Sequence, residues 1–193
     1  MMISGIILAS GFSRRMAEEK LLLPVGGLPL AERVMRAAKA SRLHEIILVY
    51  RNEQLKELGE RYAIGMVRND RAAEGQSAAV KLGVEAAHPG ANAFMFLVAD
   101  QPFLTPAVID ILIDEYMESP RHIIVPFYNG QGGNPTIFPS EFRTDLLNLS
   151  GDSGGKTIIA RNGDRVKRVD IYDTLTGVDI DTEEDYEATR GQV

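Results

Sequence analysis

Ile3-Ser4-Gly5-Ile6-Ile7-Leu8-Ala9-Ser10-Gly11-Phe12-Ser13-Arg14-Arg15-Met16-Ala17-Glu18-Glu19-Lys20 joins a strand signal to a run of small, hydroxyl and basic residues. An apolar run of strand length passes directly into a small-residue turn, and hydroxyl, guanidinium and ammonium groups follow at one end of that strand. Ala9, Ser10 and Gly11 lack bulk, so a polyphosphate can approach their backbone N–H groups while Arg14, Arg15 and Lys20 neutralise its charge. The same residues also suit a plain strand-to-helix turn with its basic side chains in solvent.

Outward from this stretch, strands and helices alternate. After an extended apolar piece with a Gly26-Gly27 turn, Pro29 stands at the start of an amphipathic helix over 30–40. Glu45-Ile46-Ile47-Leu48-Val49-Tyr50 is a continuous β-rich run, as expected of a parallel strand covered on both faces. The pattern predicts a helix over 53–59, a strand over 65–68, a polar loop and a helix over 77–87. Ala93-Phe94-Met95-Phe96-Leu97-Val98-Ala99 is the most apolar run, which places it centrally in the sheet. Thr105-Pro106 opens a helix reaching to about 117 by the hydroxyl-then-proline rule.

A strand over 122–126 follows, then a hairpin-like piece over 128–138 that reads as antiparallel or inserted. Helices over 140–148 and 156–161, strands over 166–171 and 175–180, and a last helix capped by Thr182-Glu183-Glu184-Asp185 complete the chain. This is an α/β chain of Rossmann-like, doubly wound type, with a mostly parallel sheet of about seven strands and a small antiparallel insertion. Ligands of such sheets bind outside the carboxyl ends of the strands. Segments 9–20, 74–77, 100–102 and 179–181 all fall at those ends and could share one crevice.

The 193 residues, 45% hydrophobic and 25% charged, suit one soluble globular domain over 1–193. A net charge of −6 and a pI near 5.2 speak against a nucleic-acid partner, which needs an extended basic face. The absence of cysteine excludes disulfides, thiolate catalysis and cysteine-ligated metals. His44, His88 and His122 are too scattered in sequence to suggest a zinc hydrolase. No signal-peptide pattern and no bilayer-length apolar run are present, so a cytoplasmic protein without a membrane partner is expected.

Asp100 ends an otherwise apolar strand, so its carboxylate should face the crevice, and Asp181, with Asp179 nearby, could supply a second oxygen ligand. One or two carboxylates plus substrate phosphates suffice for a hard divalent cation such as Mg²⁺. The competing reading makes Asp100 a turn former and Asp181 a helix cap. A metal, a basic loop and no evident nucleophile suggest nucleotidyl transfer, although the same residues fit simple nucleotide binding. Gly151-Asp152-Ser153-Gly154-Gly155 matches the string around the nucleophile of trypsin-like proteases, but those are β-barrels. Neither the P-loop pattern nor the dinucleotide G-x-G-x-x-G after the first strand is present.

Leu8-Ala9-Ser10-Gly11-Phe12-Ser13-Arg14-Arg15-Met16 with Lys20-Leu21-Leu22-Leu23-Pro24 resembles the L-A-[AG]-G-x-S-x-R-M-G-x-x-K signature of the molybdenum cofactor nucleotidyltransferases. Glu74-Gly75-Gln76-Ser77, Asp100-Gln101-Pro102-Phe103, Gly133-Asn134-Pro135, Gly151-Asp152-Ser153-Gly154 and Asp179-Ile180-Asp181-Thr182 follow in family order and lean towards the cytidylyltransferase branch. The resemblance implies that CMP passes from CTP to molybdopterin in a Mg²⁺-dependent reaction that releases pyrophosphate. It implies Arg15, Lys20 and Asp100 as the catalytic set. It assigns nucleotide contacts to Leu8, Ala9, Ser10, Gly11, Ser13, Arg14, Arg15, Lys20, Gly75, Gln76 and Ser77, and the metal to Asp100 and Asp181.

Gln101, Gly133, Asn134 and Pro135 are implied to lie on the pterin side. The alternatives are a GTP-dependent guanylyltransferase and, from a different class, a non-catalytic cofactor carrier or insertion partner for a molybdenum hydroxylase. Three residues depart from the family pattern. Ser10 stands where the cytidylyl branch has Ala and the guanylyl branch Gly, Ala17 replaces the Gly after R-M, and Asn134 replaces the His usual before Pro135.

Overall fold

The computed structural model describes residues 1–12 and 19–189. Strand β1 (Ile3–Ala9) leads through a short 3-10 turn (Lys20–Leu22) into a two-stranded hairpin, β2 (Pro24–Val25) and β3 (Leu28–Pro29). Gly26 and Gly27 form its two-residue loop at φ of 58° and 80°, the doubly left-handed turn that matches strand twist. Helix α1 (Leu30–Ala40), strand β4 (Glu45–Tyr50), helix α2 (Glu53–Arg61) and strand β5 (Gly65–Arg68) continue the alternation. Helix α3 (Gln76–Ala86), strand β6 (Ala93–Val98) and helix α4 (Pro106–Glu118) follow, with Thr105 Oγ1 accepting from Val108 N–H at the start of α4.

Next come β7 (Ile123–Tyr128), β8 (Gln131–Gly132), β9 (Thr136–Pro139), α5 (Arg143–Leu147), α6 (Lys156–Arg161), β10 (Val166–Asp170) and α7 (Glu183–Thr189). The sheet order is β10-β7-β9-β6-β1-β4-β5, with the short β8 paired to the end of β7 on the edge opposite β10. β6, β1, β4 and β5 run parallel, as do β7 and β10. The doubly wound, mainly parallel sheet expected from the sequence is present, with β6 at its centre.

The hairpin-like piece is antiparallel, as expected, and β9 enters the main sheet between β6 and β7, antiparallel to both. Thr136, Ile137, Phe138 and Pro139 are all buried, as a strand flanked on both edges and both faces requires. The strand expected over 175–180 is absent. A 3-10 turn (Thr174–Gly177) fills its first half, and the second half runs past the sheet end, where Ile180 N–H donates to the Asp100 carbonyl at 3.0 Å. The Tyr128 ring lies so close to Gly177 that a Cβ there would stand 2.5 Å from it.

The period-2 pleat splits each apolar run between two cores. Ile7, Leu48, Met95 and Leu97 pack against α1 and α4, while Ile6, Ile47, Phe94 and Phe96 pack with Val80 and Val84 of α3. On the second face Phe96, Phe138 and Phe142 stack edge to face, at centroid distances of 5.8 and 6.3 Å. A third small cluster, Val25, Leu30, Phe103, Ile180 and Tyr186, fastens the hairpin and α7 over the sheet end. Among the described residues no helix is long and apolar enough to cross a membrane.

Candidate active site

A cavity of about 620 Å³ opens at the carboxyl end of β1 and β6. Leu8, Ser10 and Gly11 form one wall, Gly75 and Gln76 another, and Lys20, Asp100 and Asp181 meet in it. Each is placed by a local device. Buried Leu21 anchors the 3-10 turn that begins at Lys20. Asp100 follows the last apolar residues of β6, and its backbone carbonyl is tied to Ile180. Asp181 donates its N–H to Asp185 Oδ2 at 3.1 Å, while Asp185 and Thr182 cap α7 reciprocally.

The three charges converge. Lys20 Nζ lies 2.8 Å from Asp100 Oδ2 and 2.8 Å from Asp181 Oδ1, and it also donates to the Ile180 carbonyl at 3.1 Å. Burial alone would lower the Lys20 ammonium, but the two carboxylates outweigh it and hold the group above its usual 10.5. Burial, with the negative charge of Asp100 close by, pushes the Asp179 carboxyl up to about 6.

The donor set fits a hard divalent cation. One cation already bridges two carboxylate oxygens at contact distance, and both are oxygen ligands of the kind Mg²⁺ takes. Among the described residues no group of three or more histidine, cysteine, aspartate or glutamate side chains could hold a metal. Such an ion would therefore need phosphate or water oxygens to complete its shell.

Gly75, at φ 96°, occupies a conformation that L side chains avoid, and a Cβ would stand 2.5 Å from the Gly151 carbonyl carbon. This close approach lets Gly151 O accept from Ser77 N–H and brings Gly151 and Asp152 into the cavity wall. Ser10 is buried, and its Oγ accepts from Asn69 Nδ2 at 2.8 Å.

A second cavity of about 510 Å³ adjoins the first through Leu8, Gln76 and Val98. Phe96, Phe127 and Phe138 give it an apolar body, with Lys156, Arg168 and Asp179 as its charged groups. Gly133 and Asn134 also line it.

The structure thus gathers Leu8, Ser10, Gly11, Lys20, Gly75, Gln76, Asp100 and Asp181 around one cavity, and Gly133 and Asn134 around its neighbour. Ala9, Ser77 and Gln101 are buried and line neither, and Pro135 lines neither. Gln101 Nε2 donates to the Gly177 carbonyl at 3.3 Å, so this residue braces the segment carrying Asp179. Ser13, Arg14 and Arg15 lie outside the described residues.

Several residues escaped the sequence reading. Gly151 and Asp152 were legible as part of the Gly151-Asp152-Ser153-Gly154 string in family order but without a role, and Lys156, Arg168 and Asn69 carried no motif of their own. Arg51, at the end of β4, pairs with Glu19 at 2.6 Å and stacks on Phe12 at 4.7 Å. It therefore grips both flanks of segment 13–18. No periodicity announces such a contact.

Comparison with known proteins agrees with this architecture. The purine catabolism protein PucB of Bacillus subtilis is 29% identical over 96% of this chain and 95% of its own length. A molybdenum cofactor guanylyltransferase of Rhodobacter capsulatus is 35% identical over 58% of each chain. The crystal structure of the Mycobacterium tuberculosis Rv0371c homologue from Mycobacterium sp. strain JC1 superposes with a TM-score of 0.84 at 25% identity, covering 98% of this chain and 96% of that one. The profile of the MobA-like NTP transferase domain matches residues 5–166, and the chain belongs to that family.

Proposed function

We propose that this protein transfers CMP from CTP to the terminal phosphate of molybdopterin, releasing pyrophosphate, with Mg²⁺ as the bound cation. The observation that carries the reading is the meeting of Lys20, Asp100 and Asp181 in a cavity that adjoins a second, partly apolar one. The triphosphate occupies the first cavity, its base against Ser10 and the Gly75-Gln76 wall. The pterin occupies the second, where the aromatic side chains suit a flat heterocycle and Lys156 and Arg168 suit its phosphate.

In this reading the acceptor supplies the attacking oxygen, which bonds to the α-phosphorus as the bond to the β-phosphate bridging oxygen breaks. The protein orients the two substrates and counters the charge that develops on the leaving pyrophosphate. Asp100 and Asp181 would hold Mg²⁺, which when bound neutralises phosphate charge. Lys20, with Arg14 and Arg15 from the neighbouring segment, supplies cations for the phosphates.

A second reading replaces CTP by GTP and is favoured by the name of the Rhodobacter relative. One panel tests both: protein, Mg²⁺ and molybdopterin with each of the four nucleoside triphosphates, followed by pyrophosphate release. CTP should support release. Release with GTP alone selects the second reading, and no release with any nucleotide overturns both. Asp100→Ala should lower turnover by about 10²-fold or more. Cofactor binding without pyrophosphate release above background, in wild type and Asp100→Ala alike, would instead mark a carrier that serves a client such as a molybdenum hydroxylase.

A further inference from the structure

Lys20 stands where the proposed function needs a metal. Among the described residues its ammonium meets Asp100 Oδ2 and Asp181 Oδ1 at 2.8 Å each, and the Ile180 carbonyl at 3.1 Å. The Lys20 side chain is only 14% exposed and that of Asp100 only 23%, so solvent screens this contact weakly. In the nucleotide-free molecule the carboxylate pair is therefore already neutralised in part by a cation of the protein's own.

A divalent ion and an ammonium cannot take the same two oxygens without placing like charges side by side in a partly desolvated cavity. Something must draw Lys20 away. A triphosphate in the same cavity offers it stronger acceptors, because phosphate oxygens carry charge of their own and form short, charge-assisted hydrogen bonds. The ion would then arrive at a carboxylate pair that the ammonium has left.

We propose that Lys20 is a resident cation on the Asp100 and Asp181 pair, so that a divalent ion occupies the pair only with, or after, a bound triphosphate. The inference rests on the assignment of that pair to a metal under the proposed function. It makes metal and nucleotide binding reciprocal: each raises the affinity for the other by the same factor. Free divalent ions would leave the empty site alone, and the ion would enter with its nucleotide. Because Lys20 also holds the Ile180 carbonyl, its departure releases one tether of the segment that carries Asp179 and Asp181.

The test uses Mn²⁺ as the probe on the full, nucleotide-free chain, with bound ion measured by electron paramagnetic resonance. Wild type, Lys20→Met, Lys20→Arg, Asp100→Asn and the double variant Lys20→Met with Asp100→Asn are compared, each checked for folding by circular dichroism and thermal melting. Lys20→Met should bind one Mn²⁺ at least about tenfold tighter than wild type, within the usual span of coupling between neighbouring ligands. Lys20→Arg, which keeps the charge, should stay weak, and the double variant should lose the gain.

If Lys20→Met binds no tighter than wild type while Asp100→Asn still removes the site, the pair holds metal but Lys20 does not guard it. The inference then fails and the metal assignment stands. If Mn²⁺ binding ignores Asp100→Asn in every form, with or without a non-hydrolysable α,β-methylene triphosphate, the metal assignment fails and takes the inference with it. Lysine-selective ¹⁵N NMR of the wild type guards against a variant that misfolds. The Lys20 ammonium signal should persist with Mg²⁺ alone and shift when the triphosphate analogue is added; a shift with Mg²⁺ alone, or no shift with the analogue, overturns the inference.

Discussion

Asn69 is 2% exposed and uses both ends of its carboxamide: Nδ2 donates to Ser10 Oγ at 2.8 Å and Oδ1 accepts from Arg71 N–H at 3.0 Å. The Ser10 oxygen is therefore an acceptor towards the protein, which leaves its own O–H to be directed elsewhere. Base choice was illegible at Ser10 because serine matches neither the Ala nor the Gly of the two family branches, and nothing in the sequence marks its partner 59 positions away. Asn69→Ala should cost about 1–3 kcal/mol in a urea melt, because it strands buried polar partners, and should raise the nucleotide KM more than it lowers kcat. Tyr128 gives a pH-dependent case. Burial above all pushes its phenol up to about 12, against 10.0 for an ordinary tyrosine. The neutral form is favoured in the folded chain, so its contribution is complete below pH 10 and is lost as pH rises from 10 to 12. Tyr128→Phe should flatten the fall of Tm across that window.

At the level of elements, α3 is held against the sheet by absence of bulk. A Cβ on Gly83 would overlap Ile6 Cγ2 of β1, so Gly83→Ala should destabilise by about 1–3 kcal/mol, read as a lower urea midpoint with an unchanged slope. The start of α7 works differently. Asp185 receives the N–H groups of Asp181 and Thr182 and the Thr182 hydroxyl, so Asp185→Ala should cost about 1 kcal/mol and, on the proposed function, weaken turnover through Asp181. Elements with a local cause were readable from sequence: the Gly26-Gly27 turn, the Thr105-Pro106 cap, the apolar run of β6 and the Thr182 cap all carry it in adjacent residues. The segment over 175–180 misled, because its apolar alternation serves Tyr128 and the small cluster around Ile180 and not a strand partner. β9 was readable as extended but not as interior, since its neighbours are chosen by β6 and β7 and not by its own four residues.

For the molecule as a whole, the two cavities adjoin through Leu8, Gln76 and Val98, so the proposed function predicts that both of its substrates are bound at once. Initial-rate kinetics should give intersecting lines, the mark of a ternary complex. A ping-pong pattern, or protein labelled covalently by α-³²P nucleotide, would contradict this. The carboxyl-end crevice was legible because an alternating chain dictates where ligands bind, whereas the second cavity was not, since its walls come from β7, β9, α6 and the edge strand β10, which are distant in sequence. The interior place of β9 has a further consequence for the order in which the chain is assembled. β6 and β7 both precede β9, yet the strand that joins them in the sheet follows both, so the sheet cannot be completed in the order the chain emerges. During synthesis β5, β4, β1 and β6 can form a half-sheet whose β6 edge stays open, a risk for pairing with other chains. The half of the sheet that carries the second cavity comes into being only when residues 136–139 slot into that gap.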